Sequence, residues 1–241
     1  MAFELGVSLE CGALAPLWPK FRVQGQSGSK LPHSKETPNL IGRVAARKIN
    51  RETLTDKPMS TKVEATIEDL YKVEGKAELV NGEIILMSPT DCGPGYAGDE
   101  IFSSLREYSK RQKYGRAVGD NKAFVVNLPH RKSFSPDAAF HVGADTGMKF
   151  FNGAPVFAVE VRSEGDYGPR AERQMAKKRA DYFAAGTLVV WDVDLLSADV
   201  VRVYRSSDPE RAMIYRRGEI AEAEPAVPGW TMAVDNLFPE Q

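Results

Sequence analysis

Apolar positions fall into two regimes along this chain. Through about residue 58 no period of 2 or 3.6 persists, and Gly, Ser, Pro, Lys and Arg dominate. The stretches Gln24–Lys30 and Pro32–Pro38 are turn formers with little to bury. Residues 1–58 are therefore expected to be a disordered N-terminal extension, ahead of one domain over 59–241 that opens at Met59-Ser60-Thr61-Lys62. The extension reads either as a basic arm, with Arg43, Arg47, Lys48 and Arg51 close together, or as sequence upstream of the natural start. The second is the preferred reading.

From Thr66 the pattern sharpens. Thr66 can cap a short helix, with Asp69 three residues on. Two apolar runs over 77–87 flank Asn81-Gly82, a strong hairpin signal. A Gly/Pro loop over 90–95 precedes a helix over 96–113, with Ile101, Leu105 and Tyr108 on one face and Gly115 placed to end it. Strands are predicted over 122–128, 137–142 and 156–162. A polar helix over 170–185 follows, stopped by Gly186, and then a buried strand over 187–194. Edge strands over 200–205 and 213–217, a turn at Gly218-Glu219 and a closing segment over 225–238 complete the chain. This order, without internal repeats, predicts a single α/β or α+β domain.

One acid breaks the apolar pattern. Ala154 to Arg162 reads as a buried strand, yet Glu160 lies inside it. A buried carboxylate is costly unless it is paired or bound to a metal. Asp137 opens the preceding strand. If the two strands pair, their carboxylates come within a few ångströms and can draw in a hard cation, Mg²⁺ or Mn²⁺. Such an ion lowers the pKa of a bound water and stabilises charge on a phosphate. Alternation places Ala158, Glu160 and Arg162 on one face.

Structural readings compete at each position. Pro136-Asp137 alone is an ordinary strand start, and Glu160 could simply pair with Arg162 or Lys178. Arg162 is either a phosphate clamp or an ion-pair partner. Asp192 and Asp194 read as loop-forming acids, and Tyr182 as helix packing. The run Arg170, Arg173, Lys177, Lys178 and Arg179 is either a solvated helix face or a track for phosphates.

Composition narrows the classes. Lys+Arg 32 against Asp+Glu 33 leaves a formal net charge of -1, so bulk charge does not announce a nucleic-acid binder, although a local basic face stays open. Two cysteines are too few for a disulfide framework and suit a reducing cytoplasm. Three histidines without HExxH give zinc little support. No apolar run is long enough to span a membrane, and no secretory signal is visible. The expectation is a cytoplasmic protein without a membrane partner.

Several segments together carry a resemblance. They are Ala77 to Glu83, Met87-Ser88-Pro89, Ser135-Pro136-Asp137, Glu160 to Ser163, Lys178 to Gly186 and Val190 to Asp194. The chain from about Thr66 to Phe238 resembles the Uma-type restriction-endonuclease-like family of the PD-(D/E)XK nuclease superfamily. The resemblance implies a restriction-endonuclease-like fold, a mixed central sheet flanked by helices. It implies a metal-dependent endonuclease acting on DNA, with Mg²⁺ or Mn²⁺ held by Asp137 and Glu160. The early family glutamate falls on Glu78 and the family lysine on Lys178, which would orient or activate the attacking water. Arg162 takes the superfamily's usual lysine position. Arg162, Arg173 and Lys177 are candidates for holding substrate. Two departures stand out: the 90–95 loop lacks the family's histidine, and Arg162-Ser163-Glu164 replaces its Ser-Pro-Ser. They keep alive the alternative of a catalytically inactive DNA-binding or interaction module. Superfamily nucleases often dimerise to cut both strands, so a homodimer is also compatible.

Overall fold

Thr66 caps the first helix as its position predicts, through a reciprocal pair of bonds with Asp69. The computed structural model describes residues 63–239, all within one unit, Pro58–Gln241. The expectation for residues 1–58, including the arginine and lysine cluster, lies outside the described residues. In chain order the elements are α1 (Ile67–Leu70), β1 (Ala77–Val80), β2 (Glu83–Leu86), α2 (Cys92–Gln112), β3 (Arg116–Gly119), β4 (Phe124–Val125), β5 (Ser133–Phe134), β6 (Ala138–His141), β7 (Phe151–Asn152), β8 (Phe157–Val161), α3 (Pro169–Ala184), β9 (Val189–Val193), β10 (Val201–Arg205), β11 (Asp208–Tyr215), β12 (Ile220–Glu222) and β13 (Thr231–Ala233), then a 3-10 turn over Val234–Leu237.

A six-stranded sheet in the order β11-β10-β9-β8-β6-β3 forms the centre. Only β8 and β9 run parallel; the other neighbours are antiparallel. A parallel pair needs a crossover, and α3 supplies it. Both strands are covered on both faces, which is why their sequences read as almost unbroken apolar runs. Alternation divides the side chains cleanly. Phe140, Val159, Val161, Trp191 and Val193 pack with Ile101 and Leu105 of α2 and with Trp230. Ala139, Ala158 and Val190 face the other way, toward Tyr182 of α3, Phe124 and Phe134.

The Asn81-Gly82 hairpin is present, with both residues at positive φ (52° and 69°), as a two-residue turn of this kind requires. Pro169 starts α3 at its first position and Gly186 follows its end at φ 106°.

Four expectations need correcting. The long helix begins at Cys92, inside the segment expected as a Gly/Pro loop over 90–95. The long helix stops on Lys113, itself left-handed at φ 52°, and not on Gly115. Gly115 instead immediately precedes β3, a strand that the residue pattern did not reveal. A Cβ there would sit 2.2 Å from the Phe140 ring, so the tight entry excludes any side chain. The strand predicted over 122–128 is only Phe124–Val125, paired in a three-stranded side sheet, order β5-β4-β7. The second edge strand begins earlier than expected, at Asp208, and the β12–β13 pair was not foreseen. The two residues of β4 are held by pairing with β5 and β7, which the local pattern over 122–128 does not encode. The helix–sheet–helix arrangement agrees with the expected mixed-sheet α+β architecture.

Candidate active site

Strand register builds the site. Ala138 of β6 lies opposite Val159 of β8, so one further antiparallel step sets Asp137 beside Glu160. The parallel pairing of β8 with β9 sets Glu160 level with Asp192. All three belong to the alternating set that faces α3. They form a row of carboxylates across three adjacent strands. Like charges in such a row repel, so each needs its own cation.

Each receives a different one. Lys76 Nζ lies 2.5 Å from Asp137 Oδ1, while the Val161 N–H donates to Oδ2 at 2.7 Å. Lys178 Nζ donates to Glu160 Oε2 at 2.8 Å, and the Tyr182 hydroxyl to Oε1 at 2.7 Å. Lys178 and Tyr182 are four residues apart on α3, so one helix face delivers both. Arg162 holds Asp192 bidentately, Nε to Oδ1 at 2.7 Å and Nη2 to Oδ2 at 2.8 Å, and also grips Glu172.

Glu78 enters from β1. That strand is tied to the segment before Asp137: Lys132 N–H donates to the Leu79 carbonyl at 2.8 Å, and Leu79 N–H to Ser133 Oγ at 2.8 Å. Strand alternation then turns Lys76 and Glu78 to the same side. Glu78 Oε1 accepts from the Ser135 N–H at 3.0 Å and lies 2.9 Å from Lys178 Nζ. Its other oxygen pairs with Arg131. Arg131 Nε in turn donates to Asp181 Oδ2 at 2.9 Å, and Asp181 Oδ1 contacts His130 Nε2 at 2.7 Å.

Burial and neighbours set the protonation states. Burial, joined by the charges of Asp137 and Glu78, raises the Glu160 carboxyl above its ordinary value despite Lys178. Burial also works to raise Glu78, but Lys178, Arg131 and the Ser135 N–H overcome it and hold that carboxyl below its ordinary value. Burial opposes the charge on Lys178, yet Glu160 and Glu78 outweigh it and raise its pKa. Its two carboxylate partners thus favour the ammonium form. Lys76 behaves likewise: burial opposes its charge, and Asp137, Glu160 and Asp120 raise its pKa. Burial, then Glu160 and Glu78, push the Tyr182 hydroxyl well above the usual tyrosine value, so it donates and does not ionise.

These groups line a cleft of about 860 Å³, with Lys76, Glu78, Asp137, Glu160, Lys177 and Lys178 on its charged side and Met87, Pro89 and Met175 among its apolar walls. Of the positions singled out in the sequence, Glu78, Asp137, Glu160 and Lys178 gather at one point. Lys177 lines the cleft. Arg173 lies on the exposed side of α3, outside the cleft lining. Arg162 is 5% exposed and committed to Asp192 and Glu172. The sequence reading passed over three site residues. Lys76 was accessible to the same period-two rule that places Glu78. Tyr182 was taken only as packing, and it does stack on Phe134 at 4.0 Å between centroids, but its hydroxyl serves Glu160. Arg131 gave no local signal, because its partners are about fifty residues away in the chain on either side.

Among the described residues, no group of three or more His, Cys, Asp or Glu side chains is placed to hold a metal ion. Mg²⁺ and Mn²⁺ need only one or two protein carboxylates and complete their shell with water and phosphate oxygens. Asp137 and Glu160, side by side on the cleft, are the two carboxylates that could hold such an ion. The raised Glu160 carboxyl marks a place where added positive charge is favourable.

Comparison with known proteins supplies a frame for this geometry. Residues 65–235 match the family model Uma2, described as "Putative restriction endonuclease". A crystal structure from Anabaena variabilis ATCC 29413, described as a putative nuclease belonging to DUF820, is similar in fold: TM-score 0.56, 18% identity, with 72% of this chain and 97% of that chain covered. No curated protein matches.

Proposed function

We propose that this chain, which belongs to the Uma2 family of restriction-endonuclease-like proteins, is a metal-dependent endonuclease that hydrolyses DNA phosphodiester bonds. The observation that carries this reading is the placement of Lys178 between Glu160 and Glu78 on the floor of an open cleft, with Asp137 beside Glu160. Asp137 and Glu160 would hold Mg²⁺ or Mn²⁺, and Glu78 would support that shell through Lys178. When bound, such an ion activates water and offsets charge on the phosphate.

The protein's own groups have separable tasks. The two bonds on Lys178 fix its ammonium in position, so it can stabilise developing negative charge and orient a nucleophile. Without metal, Glu160 and Glu78 favour its charged form. Tyr182 keeps Glu160 in one rotamer. Lys177, at the cleft, and Arg173, on the exposed side of α3, are suited to phosphate contacts that weaken with salt.

Lys178→Ala should lower the single-turnover cleavage rate about 10²-fold or more, the scale of losing one preorganised charged donor. Lys178→Arg should not restore it, because a longer planar guanidinium cannot take the place of a compact ammonium wedged between two carboxylates. Arg162→Ala should mainly lower thermal stability, since it strips the partner from buried Asp192. If Arg162→Ala stops cleavage with the fold intact while Lys178→Ala cuts normally, the catalytic cation is on the strand and the assignment to α3 is wrong.

One observation favours a second reading. Every acid of the site already has a cation from the protein itself, an arrangement also suited to a binding module without catalysis. Plasmid cleavage assayed with Mg²⁺, Mn²⁺ and EDTA separates the two. Metal-dependent nicking supports the nuclease, and DNA binding without any cleavage in either metal supports the module.

A further inference from the structure

We infer that Lys76 is a built-in counter-ion for the metal-binding carboxylate, which a metal must displace from Asp137 and which Asp120 is positioned to retain. The inference rests on the metal-binding part of the proposal above, but not on catalysis.

Lys76 Nζ is shared between two acids of unequal setting. It lies 2.5 Å from Asp137 Oδ1 and 2.6 Å from Asp120 Oδ1. Asp137 is on the cleft floor, with its side chain 12% exposed, whereas that of Asp120 is 37% exposed. The Asp120 carboxylate is independently fixed: its own Oδ1 accepts from the Asn121 N–H at 2.7 Å, and Oδ2 from Thr90 Oγ1 at 3.2 Å. It therefore stays in place whether or not Lys76 also holds Asp137. The residue before Lys76 is Gly75, with nothing near enough to restrict it.

Two cations cannot occupy one carboxylate oxygen without strong repulsion. A divalent ion arriving at Asp137 and Glu160 must push the ammonium away from Oδ1. Because the ammonium already touches Asp120, a small rotation suffices, and it need not return to bulk water. Asp137 is thus never left as an unpaired buried charge, with or without metal. The same geometry makes Lys76 a competitor: metal affinity is set by how strongly Lys76 prefers Asp120 over Asp137.

The two partners predict opposite changes. Removing the competitor, Lys76→Met, should tighten Mn²⁺ binding by about fivefold or more, the usual scale of coupling between two sites. Removing the parking place, Asp120→Asn, should weaken Mn²⁺ binding by a similar factor, because Lys76 then has Asp137 alone. The double variant should return to the Lys76→Met value. Calorimetric titration of the full chain with Mn²⁺ reads all three. Binding by Lys76→Met where wild type shows none also supports the inference. Equal or weaker binding in Lys76→Met overturns it, as does unchanged or tighter binding in Asp120→Asn. If neither wild type nor Lys76→Met takes up Mn²⁺, the metal assignment fails and the inference with it. If Mn²⁺ binds in the predicted order but DNA is not cut, this inference stands and the catalytic reading falls.

Discussion

Glu160→Gln and Asp137→Asn are each expected to lower plasmid cleavage by about 10³-fold or more, with the fold retained. The scale follows from losing both an anionic ligand and the preorganised charge it organises at the phosphate. The amides are nearly isosteric with the acids. In Glu160→Gln the Tyr182 hydroxyl can still donate to Oε1, and Lys178 keeps Glu78 as a partner at 2.9 Å. Burial and two neighbouring carboxylates already disfavour the charge on Glu160, so neutralising it relieves repulsion. The melting temperature of Glu160→Gln should therefore match or exceed that of wild type in metal-free buffer. Asp137→Asn loses more order, because its carboxylate receives both the Val161 N–H and Lys76. Cleavage rates and melting curves taken together decide the matter. Variants that cut within tenfold of wild type would remove both acids from the active site.

The largest expected loss of stability comes from a residue that touches neither Asp137 nor Glu160. Arg131 is buried between Glu78 and Asp181 and lies 4.8 Å over the Phe134 ring. Arg131→Met keeps most of the volume but leaves two buried carboxylates without their shared cation. Breaking a buried pair in this way costs about 3–5 kcal/mol. For a domain of this size that lowers the melting temperature by about 6–20 °C. The loss should also depend on pH, with a definite sign. Glu78 is held below its ordinary value, so it contributes stability that is present above the ordinary carboxylate range and is lost as pH falls through the depressed value. Without Arg131 that depression shrinks, and acid unfolding should begin at higher pH than in wild type. Arg131→Lys keeps one charge but cannot fork between two acids, and should fall in between. Thermal melts of the three proteins between neutral and acidic pH test this. A melting temperature unchanged in Arg131→Met would show that Glu78 and Asp181 are satisfied without it.

Much of this protein was decided locally. The capped turn at Thr66, the Asn81-Gly82 hairpin, both long helices and the buried strands around Val159 and Trp191 follow from spacing and turn chemistry within a few residues. Glu160 stood out for a local reason too, as an acid in an apolar run, and alternation put it on the correct face. What sequence alone could not supply is the accounting of charge at that face. Asp137 was expected beside Glu160 on condition that their strands pair, whereas Asp192 was read apart, as a loop former. Strand register meets that condition and adds Asp192 to the row, and only the folded site assigns a cation to each. Lys76 reaches Asp137 across 61 positions of chain, Arg131 reaches Glu78 across 53, and Arg162 turns to Asp192 across 30. Side-chain chemistry and period are properties of neighbouring residues, so the sequence determines the elements and the type of chemistry they carry. Electrostatic pairing depends on distance in space, so the tertiary structure alone decides which lysine meets which carboxylate and which arginine is occupied.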